Sequence, residues 1–262
     1  MIKGLFTLIF VALSNGLLSQ NLLYNGGFEN CSGCPDEPAA LKVCENWSIP
    51  NHASPDLFKR CSHSRPYLEI PFNFIGTQEP KSGNAYGGII LMAGSGIYGD
   101  YREYIQGELK EALQVNTIYK ISFHVSWAEY SIYFCDRIGY LFSVEKIIPK
   151  QSEPEAKKSK KKKRQELMGS TKLNTILPNS QGYVSLSLDS LMDRESWHRV
   201  EFTYLANGGE KYLILGLFGD NASHENYERY IGKVYGKPSR IGEVSYYYID
   251  EISVEKSDFA HR

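Results

Sequence analysis

Five cysteines, at positions 31, 34, 44, 61 and 135, are the first residues in this chain whose types and spacing could do chemistry. Four lie near the N-terminus, with His52 and His63 among them. Thiolates and imidazoles are zinc ligands, and Cys31-x-x-Cys34 with Cys44 and Cys61 has the composition of a tetrahedral site. The same thiols pair as disulfides wherever the compartment is oxidising. The chain lacks a second Cys-x-x-Cys, and its opening reads as an export signal. Met1-Ile2-Lys3-Gly4 carries one positive charge, residues 5–13 are apolar except Thr7, and Ser19 supplies a small residue for cleavage. That apolar run is shorter than the roughly 20 residues that span a bilayer. Residues 1–19 are therefore expected to be a signal peptide, with Gln20 the new N-terminus and no lipid-bearing cysteine after it. Disulfides are then favoured over zinc. Cys31, Cys34, Cys44 and Cys61 admit three pairings, and any of them staples a loop-rich segment. Cys135, inside an apolar strand, reads as a buried, inert thiol.

Catalytic chemistry finds no complete motif. There is no Gly-x-Ser-x-Gly elbow, no His-Glu-x-x-His and no phosphate-cradling glycine loop. Asp258-x-x-His261 has the form of an esterase dyad without its Gly-Asp-Ser nucleophile, and it falls in a terminal tail expected at 257–262. The chain is instead rich in aromatics, with 19 Tyr, 12 Phe and 3 Trp. Aromatic faces pack on sugar rings while polar neighbours take the hydroxyls. Trp47, Tyr86, Tyr98, Tyr101 and Arg102 are the candidate ligand-binding residues, Trp47 and Tyr98 because their surroundings read as loop. Trp127 is in phase with a buried strand face and is assigned to the core.

Net charge is −1, which by itself points to no nucleic-acid partner; removing the seven positive charges of the 157–164 run would leave −8. That run, Lys157-Lys158-Ser159-Lys160-Lys161-Lys162-Lys163-Arg164, lies in a polar insertion at 146–172 that has too little apolar surface to fold. It is expected to be a solvated loop, or a site for acidic polysaccharide or lipid head groups. Beyond the first residues no apolar stretch is long enough to cross a membrane as a helix.

The elements that must position these residues are strands. In 117–129, Tyr119, Ile121, Phe123, Val125 and Trp127 alternate with Lys120, Ser122, His124 and Ser126, a period of two. Further strands are predicted at 85–92, 101–109, 138–144, 183–188, 199–205, 211–218 and 245–254, separated by Gly, Asn, Asp and Pro clusters. No long amphipathic helix appears. The expected fold is all-β, an antiparallel sandwich in one domain over 20–256. Residues 30–80, with seven prolines, are expected to form a flap that disulfides hold in shape without a core of its own.

Several segments carry a resemblance. Asn25-Gly26-Gly27-Phe28-Glu29 near the start and Tyr248-Ile249-Asp250-Glu251-Ile252-Ser253-Val254 near the end resemble the galactose-binding-domain-like jelly rolls, which include many carbohydrate-binding modules. Cys34-Pro35, Trp47, Ser54-Pro55-Asp56, Cys61, Gly83-Asn84-Ala85-Tyr86-Gly87-Gly88, residues 101–106, Ser122-Phe123-His124-Val125-Ser126, Asp136-Arg137-Ile138-Gly139 and Gly208-Gly209-Glu210 follow in order. Together they look like the N-terminal domain of exported Bacteroidetes proteins that often continue into an OmpA-like peptidoglycan-binding domain. No such domain follows, and the Lys-rich insertion departs from the pattern, as do Cys31 and Cys44.

The resemblance implies a jelly roll, a Cys34–Cys61 bridge that leaves Cys31–Cys44 as the second pair, and a structural calcium ion where first and last strands approach. Glu29 and Asp250 would be its carboxylates, and the turn of Lys81, Ser82, Gly83 and Asn84 would add carbonyl oxygens. It also implies an exported, non-catalytic module that binds carbohydrate at the bacterial cell envelope or outside. A structural or protein-interaction component of the envelope with the same fold is the alternative, and a polysaccharide or ester hydrolase a further one.

Overall fold

In the computed structural model, residues 20–61, 65–93, 101–149, 181–186, 193–218, 227–229 and 244–257 are described. The signal-peptide region, His63, Tyr98, the lysine run and the Asp258/His261 tail lie outside them. The described residues form fourteen strands: β1 Trp47–Ser48, β2 Asp56–Lys59, β3 Phe72–Asn73, β4 Gly76–Thr77, β5 Ala85–Ala93, β6 Tyr104–Glu108, β7 Ile118–Trp127, β8 Tyr133–Cys135, β9 Arg137–Ser143, β10 Gln181–Ser185, β11 His198–Leu205, β12 Tyr212–Gly216, β13 Tyr227–Arg229 and β14 Val244–Lys256. Helix is limited there to two short 3-10 turns, Ala40–Val43 and Pro66–Leu68.

Ten strands make two five-stranded antiparallel sheets. The first runs β1-β6-β12-β9-β10 and the second β11-β7-β14-β5-β2. From β5 onward most connections cross from one sheet to the other, which is the jelly-roll way of closing a sandwich. The two inner faces share one core of Ile105, Leu213, Leu215, Ile138 and Phe142 against Tyr119, Ile121, Phe123, Val125, Trp127, Tyr247 and Ile249. Trp127 is fully buried there, as its phase in β7 predicts.

Every predicted strand has a counterpart, though several are shortened or shifted, 211–218 to β12 and 183–188 to β10 among them. The 101–109 expectation contracts to β6, because Glu103 leaves the strand to bond Ile90 with both backbone and side chain. β11 alternates buried and open residues, as a strand with one solvated face must. β5 and residues 244–250 of β14 are buried on both faces. The cause is a second core on the outer face of the second sheet, and it corrects the expectation of a coreless flap. Leu68, Ile70 and Ile75 of the flap pack on Phe58, Tyr86, Ile90, Tyr246 and Tyr248, with Phe74 and Trp197 at the margin. Phe58 lies 5.3 Å from Tyr86 and 5.6 Å from both Phe74 and Tyr248, centroid to centroid.

Tyrosine suits this layer because the ring fills the space and the hydroxyl reaches the loop above it. Tyr86 donates to Gln78 O (2.9 Å), Tyr246 to Asp56 Oδ2 (2.6 Å) and Tyr248 to Asn73 Oδ1 (2.9 Å). The Cys34–Cys61 disulfide forms, with Cα atoms 5.8 Å apart. The second expected bridge does not: Cys31 and Cys44 are free thiols with Sγ atoms 2.7 Å apart. They face each other across an isolated antiparallel bridge. Ser32 N bonds Val43 O and Glu45 N bonds Asn30 O on either side, which makes 31/44 a non-hydrogen-bonded pair, the kind that brings side chains closest.

Candidate functional site

The structure moves most of the expected sugar-binding residues into the interior. Trp47 belongs to β1, a two-residue strand hidden in loop-like sequence. Its ring packs 4.7 Å from Phe28 and its Nε1 donates to Asn25 O at 2.9 Å. Tyr86 is under the flap. Arg102 is fully buried and donates from Nη1 to Leu91 O at 3.0 Å. Tyr101 is buried too, donating to Glu103 Oε1 at 2.8 Å. None of these four presents a ring or plane on which a sugar could lie, so the expected exposed set is corrected.

Glu103 and Asp56 form a buried acid pair beside the second core. Asp56 accepts from Tyr246 and from Ala39 N (2.8 Å); Glu103 accepts from Tyr101, Ser54 and Ile90 N (2.7 Å). Burial, and then Asp56, pushes the Glu103 carboxyl up to about 8. Burial pushes Asp56 to about 6 against the pull of its hydrogen bonds. Ionising both would bury two like charges.

Three distant segments meet at the acids that the resemblance assigned to calcium. Glu29 Oε1 accepts from Asn84 N (2.6 Å) and Ala85 N (3.0 Å). Asp250 Oδ2 accepts from Lys81 N (2.9 Å) and Ser82 N (3.4 Å), and Oδ1 from Glu251 N (2.7 Å). Ser82 Oγ donates to Glu251, which a bulge in β14 turns toward the site. The turn thus offers these carboxylates its N–H groups. Burial, and then the neighbouring Glu251 charge, lifts Asp250 to about 7 against three backbone N–H bonds. No group of three or more His, Cys, Asp or Glu side chains is arranged to hold a metal among the described residues.

The outer face of the first sheet carries residue types that could hold a sugar, although Tyr104, Gln106, Leu141 and Ile214 on it are fully buried. Directly opposed residues share a face, so the register puts Ser48, Tyr104, Gln106, Tyr212, Ile214, Leu141 and Tyr183 on it. Gly139 and Gly216 are small for a reason: a Cβ at Gly139 would lie 2.5 Å from the Phe218 ring, and one at Gly216 2.3 Å from Tyr104. The two rings therefore lie low across the strands, 5.1 Å apart. Tyr104 donates to Leu217 O (2.8 Å) and Tyr183 to Phe218 O (2.9 Å).

Tyr183, on the edge strand, is 42% exposed. On the same face, two residues along β9 from its partner Gly139, Arg137 pairs with Asp136 at 3.0 Å. An exposed ring with a planar cation and a carboxylate at its side can stack a sugar and bond its hydroxyls. Sequence reasoning missed Tyr183, although it predicted the strand. The signal was the phase of Tyr183 opposite a glycine, and phase has meaning only once a partner strand is known.

No protein-family model and no curated protein matches the chain. Solved structures that it is similar to include the K1 cleaved adhesin domain of Lys-gingipain from Porphyromonas gingivalis, at 11% identity and a TM-score of 0.35, covering 82% of this chain and 93% of that one. A second is a putative sugar binding protein from Bacteroides thetaiotaomicron, at 11% identity and a TM-score of 0.38, covering 91% and 100%. A third is the N-terminal CBM22 tandem domain of a Paenibacillus barcinonensis protein, at 7% identity and a TM-score of 0.37, covering 81% and 46%.

Proposed function

We propose that this chain is an exported, non-catalytic jelly-roll module that binds carbohydrate on the outer face of its first sheet, at the bacterial cell envelope or outside. The observation that carries the reading is the exposed Tyr183 ring beside the Arg137–Asp136 pair, on a face floored by Tyr104 and Phe218. Stacking supplies affinity, and the charged pair with Gln106 and Ser48 supplies hydroxyl recognition. The Cys34–Cys61 bridge supports an oxidising compartment. A structural calcium ion belongs to the same reading. Glu29 and Asp250 would hold it, with Lys81 and Asn84 giving main-chain oxygen. It must compete with the five N–H groups already bonded to those carboxylates.

A glycan array probed with residues 20–262 tests the proposal. Retention on a polysaccharide that Tyr183→Ala removes supports it. No retention on any glycan, with an envelope protein co-purifying instead, supports a protein-interaction role. Turnover of a polysaccharide or ester would make it a hydrolase.

A further inference from the structure

We infer that residues 144–149 form an intramolecular strap over the outer face of the first sheet, and that a bound glycan displaces it. The inference rests on the reading of that face given above. An antiparallel sheet with one face in the core ordinarily leaves its other face in water. Here Tyr104, Gln106, Leu141, Ile214 and Phe218 on the outer face are fully buried. Ile147 packs on the apolar members of this set.

The chain turns back over its own strand after β9, where Ser143 Oγ donates to Glu145 O at 2.7 Å. A single side-chain amide then clasps it. Ile147 N donates to Gln106 Oε1 (2.9 Å), and Gln106 Nε2 donates to Ile147 O (3.1 Å). Ser48 Oγ accepts from the same Nε2 at 2.9 Å, which fixes the amide's orientation. The glutamine thus reproduces, from the middle of a sheet, the paired exchange that one strand makes with another.

The hold is slight. Val144 and Ile148, on either side, are 58% and 72% exposed. Among the described residues, one isoleucine and two hydrogen bonds hold the strap, where the flap on the other sheet has three buried aliphatics and a disulfide. The groups it hides suit a neutral glycan. Two adjacent ring hydroxyls can replace the N–H and C=O of Ile147 on the Gln106 amide, and the sugar face can replace the isoleucine on Tyr104 and Phe218. A ligand that must open the strap binds with an affinity reduced by the open fraction.

Hydrogen exchange on the native chain tests this with cellohexaose, xylohexaose and mannohexaose as probes. A ligand that docks on a fixed surface slows exchange beneath it. Here the oligosaccharide that binds should slow exchange around Tyr183 and accelerate it in 144–149. Ile147→Ser should tighten binding of the same oligosaccharide by about tenfold, the effect of a largely closed strap. Slower exchange in 144–149 on binding overturns the strap. So does an Ile147→Ser chain with the native melting profile and unchanged affinity, while Tyr183→Ala still removes binding; in that case the face stands and the strap alone falls. Absence of binding to all three probes and to the array overturns both.

Discussion

The outer faces of the two sheets are closed by different means. On the second sheet the flap brings aliphatic residues, a disulfide and polar groups that receive three tyrosine hydroxyls. On the first sheet, among the described residues, Ile147 of the strap packs over the face and is clasped by Gln106, and Tyr183 is 42% exposed. Burial makes the first arrangement part of the fold. The second leaves one ring, Tyr183, exposed beside the buried Tyr104 and Phe218. The same residue type therefore sits differently on the two faces: Tyr86, Tyr246 and Tyr248 are buried, and Tyr183 is exposed and available for the proposed recognition.

The largest expected effect that sharpens this contrast is on the sealed face. Phe58→Ala removes the ring at the centre of the second core and should cost about 3–5 kcal/mol in urea unfolding. A loss under about 1 kcal/mol would mean that the flap layer is not a core. Next is the staple. Replacing Cys34 and Cys61 together by Ala should cost about 2–4 kcal/mol, with protease cleavage appearing first in 65–80. Glutathione disulfide should meanwhile consume the two thiols of Cys31 and Cys44, counted by mass after alkylation, and spare the buried Cys135, whose thiol burial pushes up to about 11.

The third effect is on pH. The folded chain holds the protons of Asp56 and Glu103 to about 6 and about 8, above their unfolded values. The stability they contribute is complete below the unfolded range and is lost as pH rises through those two values. Unfolding at pH 5 and pH 9 should show the fall, and Glu103→Gln should flatten its upper part. A smaller effect is expected from calcium, which should raise the thermal midpoint by about 2–4 °C over chelator, as about 1 kcal/mol does in a domain of this size. An unchanged midpoint would leave Glu29 and Asp250 as acceptors for the turn alone. Least affected in stability is the open face. Tyr183→Ala should cost about 0.5 kcal/mol or less while abolishing glycan retention. A large loss of stability there would erase the contrast between the faces.

Much of the fold was legible because strand periodicity is local. The alternation in 117–129 identified β7 and placed Trp127 in the core, since a period of two needs no partner to be read. The flap was misread for the complementary reason. Its apolar residues, Leu68, Ile70, Phe74 and Ile75, follow no period among prolines, and their role exists only against Phe58 and the β14 tyrosines. Trp47 looked exposed because a two-residue strand has too little length to show a pattern.

The sequence by itself determined that the chain is all-β and that β7 and its neighbours have an inner face, and resemblance placed Cys34 with Cys61 and brought Glu29 and Asp250 to the 81–84 turn, whose N–H groups they accept from. Only the tertiary structure decided that Tyr86, Tyr246 and Tyr248 are sealed and that Tyr183 is exposed. Inner or outer side is written in the phase of a strand. Whether the outer side meets water depends on what a distant segment lays over it, and no local pattern encodes that.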